Sequence, residues 1–226
     1  MVIGALAASL LVGCSSGVGE RINRAYTLAR HPTPRNVDRI EAMLHDGDRD
    51  VRATALVVMQ TLDTTRANRM ATVAIQDPDG LVRAAAVTIV AAHSDPAAAS
   101  GLAKLAVDDP VWQVRARALE GLSGTDDPAL QEAFARALSD PVRHVRRTAI
   151  RAGIEHPGLL PVERLSDLIV SDPDWENRVD AARALGAMKD AGVAAALETA
   201  LADPNEFVRA AAAAARRGLP PELPPH

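Results

Sequence analysis

Residues 109 to 118 read DPVWQVRARA, and nearly the same phrase stands at residues 77 to 86 as DPDGLVRAAA and at 203 to 212 as DPNEFVRAAA. An Asp five residues before a Val and six before an Arg recurs at Asp46, Asp77, Asp109, Asp140 and Asp203. Asp172 keeps the Arg but carries Asn177 in place of the Val. The steps between these six positions are 31, 32, 31, 32 and 31 residues. Self-similarity at a fixed period of this size marks stacked supersecondary units, none of which can bury its apolar face alone. Such an array has no single central core to partition, so the 226 residues are read as one repeat domain.

In each repeat the Asp precedes a proline (Pro78, Pro110, Pro141, Pro173, Pro204), with Gly47 in the first. An Asp can cap the orphan N–H groups of a helix start, and Pro at the first helical position gives up no hydrogen bond, so Asp-Pro is expected to open a helix. The apolar positions that follow keep helical spacing, as in Val51, Ala55, Val58 and Met59 or Val82, Ala86, Ile89 and Val90. Ala55, Ala86, Ala118, Ala149, Ala181 and Ala212 share one register, where a small side chain lets a paired helix come close. That paired helix precedes the Asp, in stretches such as VDRIEAMLH and PVERLSDLIVS. Six antiparallel helix pairs follow, from about residue 37 to 217, and the expected fold is all-α, an α-solenoid. One period before the first full repeat, ERINRAYTLAR is expected to be the second helix of a degenerate zeroth repeat. The solenoid is assigned to residues 20 to 217, with Gly218 ending the last helix and residues 218 to 226 forming a Pro-rich tail.

The Asp-Pro start, the Val-Arg pair and the Ala after it resemble HEAT-type repeats, in the short form similar to those of phycobilin lyases. Ankyrin and tetratricopeptide arrays have nearby periods, but their T-P-L-H and W-x-x-L-G-x-x-Y signatures are absent. The resemblance implies that Arg52, Arg83, Arg115, Arg146, Arg178 and Arg209 form a ladder, linking neighbouring turns through hydrogen bonds to the Asp positions. A residue demanded in every repeat serves stacking rather than one ligand.

The chain begins MVIGALAASLLVGCSSG. Residues 2 to 12 are apolar but too few to span a bilayer, which suits the core of a signal peptide. The stretch ends at Cys14, the only cysteine. Leu11, Val12, Gly13 and Cys14 resemble the lipobox of bacterial lipoproteins, which implies removal of residues 1 to 13 and acylation of Cys14, followed by a linker over residues 14 to 19. The sequence departs from that pattern in having no Lys or Arg before the apolar stretch. Ser15, in place of Asp, resembles lipoproteins sent to the outer membrane of two-membraned bacteria.

The net charge of −4 and pI near 5.9 remove the global positive field on which nucleic-acid binders rely. Residues 46 to 50, DGDRD, start like a calcium loop, but Val51 stands where Gly is needed and Val57 where Glu is needed. His31, His93 and His156 share a register at alternate repeats, about 20 Å apart if helices are spaced by ~10 Å, too far for one metal. They read as helix C-terminal residues favoured by the dipole. No P-loop, G-x-S-x-G elbow or HExxH motif occurs. No catalytic residue, metal or cofactor is assigned.

What breaks the repeat is more informative. Three residues after each Asp stand Arg49, Gly80, Trp112, Arg143, Trp175 and Glu206, so both tryptophans occupy one register and flank an Arg. In the fourth repeat Arg143, Arg147 and Arg151 fall on one helix face, with Arg183 level with Arg151 in the next repeat. Trp and Arg are the residues most enriched in binding hot spots. The expected function is therefore a non-catalytic, lipid-anchored scaffold of the bacterial envelope. Trp112, Arg143, Arg147, Arg151, Trp175 and Arg183 would bind an acidic or aromatic segment of a protein partner, and acylated Cys14 would hold the bilayer; no nucleic acid is expected. The plainer alternative is that each Trp covers the adjacent turn and the arginines form a solvated face. Two other functional classes stay open: an enzyme or enzyme subunit like the bilin lyases, and a nucleic-acid binder like the HEAT-like DNA glycosylases, using the Arg143 to Arg183 patch.

Overall fold

In the computed structural model the chain is described over residues 16 to 93, 96 to 123 and 130 to 219. The proposed signal peptide, Cys14 and most of the Pro-rich tail lie outside the described residues. Thirteen α-helices, and no strand, occur among the described residues. They are α1 (Ser16–Ala29), α2 (Pro34–Ala42), α3 (Arg49–Leu62), α4 (Thr64–Ala74), α5 (Gly80–Ala91), α6 (Pro96–Asp108), α7 (Trp112–Leu122), α8 (Gln131–Ala137), α9 (Arg143–Glu155), α10 (Val162–Ser171), α11 (Trp175–Met188), α12 (Ala194–Ala200) and α13 (Glu206–Arg217). Short 3₁₀ turns, Met43–His45 and Ala191–Val193, precede α3 and α12.

Two compact units divide the chain after Ala98, where the sequence suggested one domain. Repeats touch only their neighbours, so an array can divide between repeats without cutting a core. In the first unit α1 packs on α2 and α3, and α3 on α4 and α5. In the second unit α7, α9, α11 and α13 pack each on the next, with α8, α10 and α12 against them. Within each unit the helix after an Asp thus stacks on its counterpart in the following repeat, which is the solenoid arrangement.

The repeated residues explain the packing. Ala55, Ala86, Ala118, Ala149, Ala181 and Ala212 are all fully buried. So are Val51, Val82, Val114, Val145 and Val208, with Asn177 buried in the sixth position of this register. One position beyond each alanine, Leu56, Val87, Leu119, Ile150 and Ala182 are also buried. The last repeat places half-exposed Ala213 there and exposed Arg216 three residues on. Polar or small residues at stacking positions are what a terminal repeat requires. At the other end α1 fills the role expected of a zeroth repeat: Arg21 pairs with Asp46 at 2.9 Å, repeating the 25-residue spacing of Arg52 and Asp77.

Two expectations are corrected. The Asp of Asp-Pro does not cap the helix; the helix starts three residues later. Its carboxylate accepts the N–H two residues on, at 2.8 to 2.9 Å in every repeat that shows the turn (Asp48, Asp79, Val111, Val142, Asp174 and Asn205 donate). This Asx turn offers the carboxylate a backbone donor before any helix exists, and Pro is comfortable inside it. The caps are Asp48, Asp79, Asp174 and Asn205, whose side chains do accept helix N–H groups, and Val111 and Val142, which cannot. The second correction concerns residues 16 to 19, expected in a linker: they belong to α1, whose Ala25 and Leu28 are buried. Packing of one apolar face outweighs the poor propensity of Gly17 and Gly19.

Candidate interaction surface

The ladder arginines are structural. In each, Nη1 donates to the carbonyl of the Asp six residues earlier, as in Arg146 to Asp140 at 2.8 Å. In Arg52, Arg115, Arg146 and Arg178, Nε and Nη2 also grip the next Asp in a two-pronged pair. The distances are 2.8 and 2.8 Å for Arg52 and Asp77, 2.6 and 2.9 Å for Arg115 and Asp140, and 2.7 and 3.1 Å for Arg178 and Asp203. Burial raises the cost of ionising Asp77, but hydrogen bonds from Arg52 and the Asp79 N–H outweigh it and hold the carboxyl below its ordinary value. For Asp203 the bond from Arg178 is the largest influence, and the result is again a lowered pKa. These residues are committed to stacking and leave little to offer a ligand.

Because the Asx turn delays each helix, the register of Trp112, Arg143 and Trp175 becomes the first helical residue of α7, α9 and α11. All three lie on one edge of the second unit. Trp112 stacks on His144, the second residue of α9, with ring centres 5.4 Å apart and planes 22° from parallel. Arg143 Nη1 donates to Asp174, the cap of α11, at 2.8 Å. Trp175 stacks on Phe207, the second residue of α13, at 5.4 Å and 30°. Each residue therefore reaches forward to the start of the next stacked helix, and the edge reads ring pair, ion pair, ring pair. It remains open to solvent: Trp112 is 37%, Trp175 41% and Phe207 56% exposed.

The other three candidates sit further along the helices. Arg147 reaches from α9 to α11, with Nη1 on Glu176 at 2.7 Å and Nε on Asp180 at 3.0 Å. Arg183 Nη1 takes the second oxygen of the same Asp180 at 3.0 Å. Asp180 is buried, so it binds the two guanidiniums into one network rather than leaving a free cationic patch. Arg151 is exposed and lines a separate polar furrow with Glu120, Ser123, Thr148 and Glu155. The residues that sequence reasoning missed are His144, Phe207, Asp174 and Asp180. A signal for the two rings was present: each lies 32 residues after a Trp, one position deeper in the repeat.

Among the described residues no helix is long and apolar enough to cross a membrane, and no group of three or more His, Cys, Asp or Glu could hold a metal ion. The family model for HEAT repeats matches residues 37–123, 101–153 and 161–216. The chain belongs to the HEAT-repeat family. Solved HEAT and armadillo structures resemble it at low identity. Escherichia coli YibA is 21% identical with a TM-score of 0.61, over 90% of this chain and 75% of that one. A designed armadillo repeat protein in complex with the peptide (KR)4 is 19% identical with a TM-score of 0.59, over 81% and 99%. The CpcE and CpcF complex of phycocyanin lyase from Nostoc sp. is 23% identical with a TM-score of 0.50, over 90% and 82%. At these identities the likeness establishes the HEAT fold alone. No curated protein matches the sequence.

Proposed function

We propose that this HEAT-repeat chain is a non-catalytic scaffold for protein–protein interaction, anchored in the bacterial envelope through an acylated Cys14. The observation that carries the binding role is the solvent-open edge of Trp112 on His144 and Trp175 on Phe207. Large aromatic residues in a chain with 2% of them supply contact area at low entropic cost, and Trp112, Trp175 and Phe207 are held in stacked pairs at the surface rather than spent on the core. Because Arg143, Arg147 and Arg183 already face carboxylates, the rings provide the affinity and the charges set register. An aromatic or apolar segment of the partner fits this edge better than a purely acidic one. The binding of a peptide by a designed armadillo relative supports the general mode. The anchor rests on the apolar stretch that ends at Cys14.

The test compares partners captured from envelope extracts by the wild type and by a Trp112→Ala, Trp175→Ala variant of unchanged helicity. Loss of specific partners is expected; equal recovery overturns the edge as the binding site. Cys14→Ser is expected to move the protein out of the membrane fraction, since stable attachment takes more than one hydrophobic signal. Retention of the variant together with an unmodified Cys14 thiol in the wild type overturns the anchor.

A further inference from the structure

The first unit carries a cluster that neither the ladder nor the aromatic edge uses. Arg21, Arg24 and Leu28 on α1, Arg39 and Ala42 on α2, and Met43, His45 and Asp46 just after it enclose a concavity of about 410 Å³. Its sole carboxylate, Asp46, is held by Arg21 at 2.9 Å. The acids of α2 are engaged elsewhere, Arg66 of α4 binding Asp38 at 2.6 Å and Glu41 at 3.1 Å. Arg24, Arg39 and His45 are exposed and meet no carboxylate among the described residues. A chain of net charge −4 thus sorts its charges so that one end is locally basic around an apolar floor of Leu28 and Met43.

We infer that this basic concavity binds the phosphate of an anionic phospholipid headgroup and seats the first repeat on the membrane. The choice of a bilayer as the source of the phosphate rests on the anchored reading of Cys14. α1 begins at Ser16, so covalent geometry fixes the approach. Even at the full reach of the chain between Cys14 and Ser16, the eight helical residues that follow leave Arg24 within about 20 Å of Cys14. An acylated Cys14 would keep α1 at the headgroup layer, where each Arg attracts anionic lipid and the second attachment signal is supplied by charge. Leu28 and Met43 let the arginine stems lie on apolar surface while their guanidiniums face the phosphate.

The experiment uses the full chain carrying Cys14→Ser, so that no acyl chain contributes. Its binding to phosphatidylcholine vesicles is compared with binding to vesicles in which about a third of the lipid is phosphatidylglycerol. The expected result is a clear preference for the anionic vesicles, reduced about thirty-fold by Arg24→Gln with Arg39→Gln at low salt. Lys104→Gln with Arg217→Gln, which removes the same charge from exposed sites of the second unit, is expected to leave the preference in place. Absence of a preference, or an equal loss in the control variant, overturns the site. Arginine-dependent binding of inorganic phosphate without vesicle preference overturns the headgroup as its ligand. The mass of Cys14 in the wild-type protein separates the two readings. An unmodified thiol with the preference intact sinks only the anchor, and an acylated thiol with no preference sinks only the headgroup site.

Discussion

Arg146 and Asp172 stand 26 residues apart in sequence and face each other as a closed fork, Nε and Nη2 on the two carboxylate oxygens at 2.7 and 2.9 Å. The same guanidinium bonds the carbonyls of Asp140 at 2.8 Å and Pro141 at 3.3 Å. One side chain thus closes its own turn and fastens the next one. With side-chain exposures of 10% and 0%, little water competes for either partner.

Removing one half of this pair leaves the other charge buried. Asp172→Ala is expected to lower stability by about 3 to 5 kcal/mol. Arg143→Ala breaks an ion pair whose arginine is 56% exposed, and should cost less than about 1 kcal/mol. Urea unfolding of the two variants checks the contrast, and equal losses would contradict a structural ladder.

Acid should loosen the stack. The carboxyls of Asp77, Asp174 and Asp203 are held below their ordinary values, for Asp174 because bonds from Arg143 and from the N–H groups of Glu176 and Asn177 overcome the cost of burial. A group with a depressed folded pKa contributes stability that is complete above its unfolded pKa and is lost as pH falls through the folded one. Unfolding free energy should therefore be flat in these groups above about pH 5 and decline below about pH 4. Asp203→Asn should flatten that decline in a series of denaturant titrations.

The helix faces can be tested with a pair of neighbours. Ala149 is fully buried and Arg151 is exposed. Ala149→Leu is expected to cost roughly 1 to 3 kcal/mol through overpacking, while Arg151→Ala should change stability by less than about 0.5 kcal/mol. Thermal unfolding distinguishes the two.

Lys189 ends α11 in the left-handed region, at φ 51° and ψ 36°. A side chain is strained there, and glycine is the residue such a position favours. Lys189→Gly should raise stability by about 0.5 to 1 kcal/mol in calorimetry, the remainder of the relief being offset by the greater freedom of glycine in the unfolded chain.

Much of the fold could be read from one line of sequence because every repeat states the same local chemistry. The buried alanine register and the degenerate zeroth repeat containing Arg21 follow from period and side-chain type, and the Arg-to-Asp ladder from the resemblance to HEAT-type repeats. The helix starts were misplaced because an Asx turn and an N-cap use the same residue type. Only the paths of the N–H groups of residues such as Asp79 and Val111 distinguish them.

The candidate site was half legible. The sequence alone determined that Trp112 and Trp175 share a register and flank Arg143, since a register is a count along the chain. Which groups they meet was decided by the tertiary structure. Stacked helices are displaced so that the first residue of one lies over the cap or second residue of the next, bringing Trp112 to His144, Arg143 to Asp174 and Trp175 to Phe207. In the same way Arg147 and Arg183, which the sequence offered as partner-binding residues, converge on the buried Asp180. That displacement comes from how side chains of two helices fill the space between them, a property of the pair that no single repeat contains.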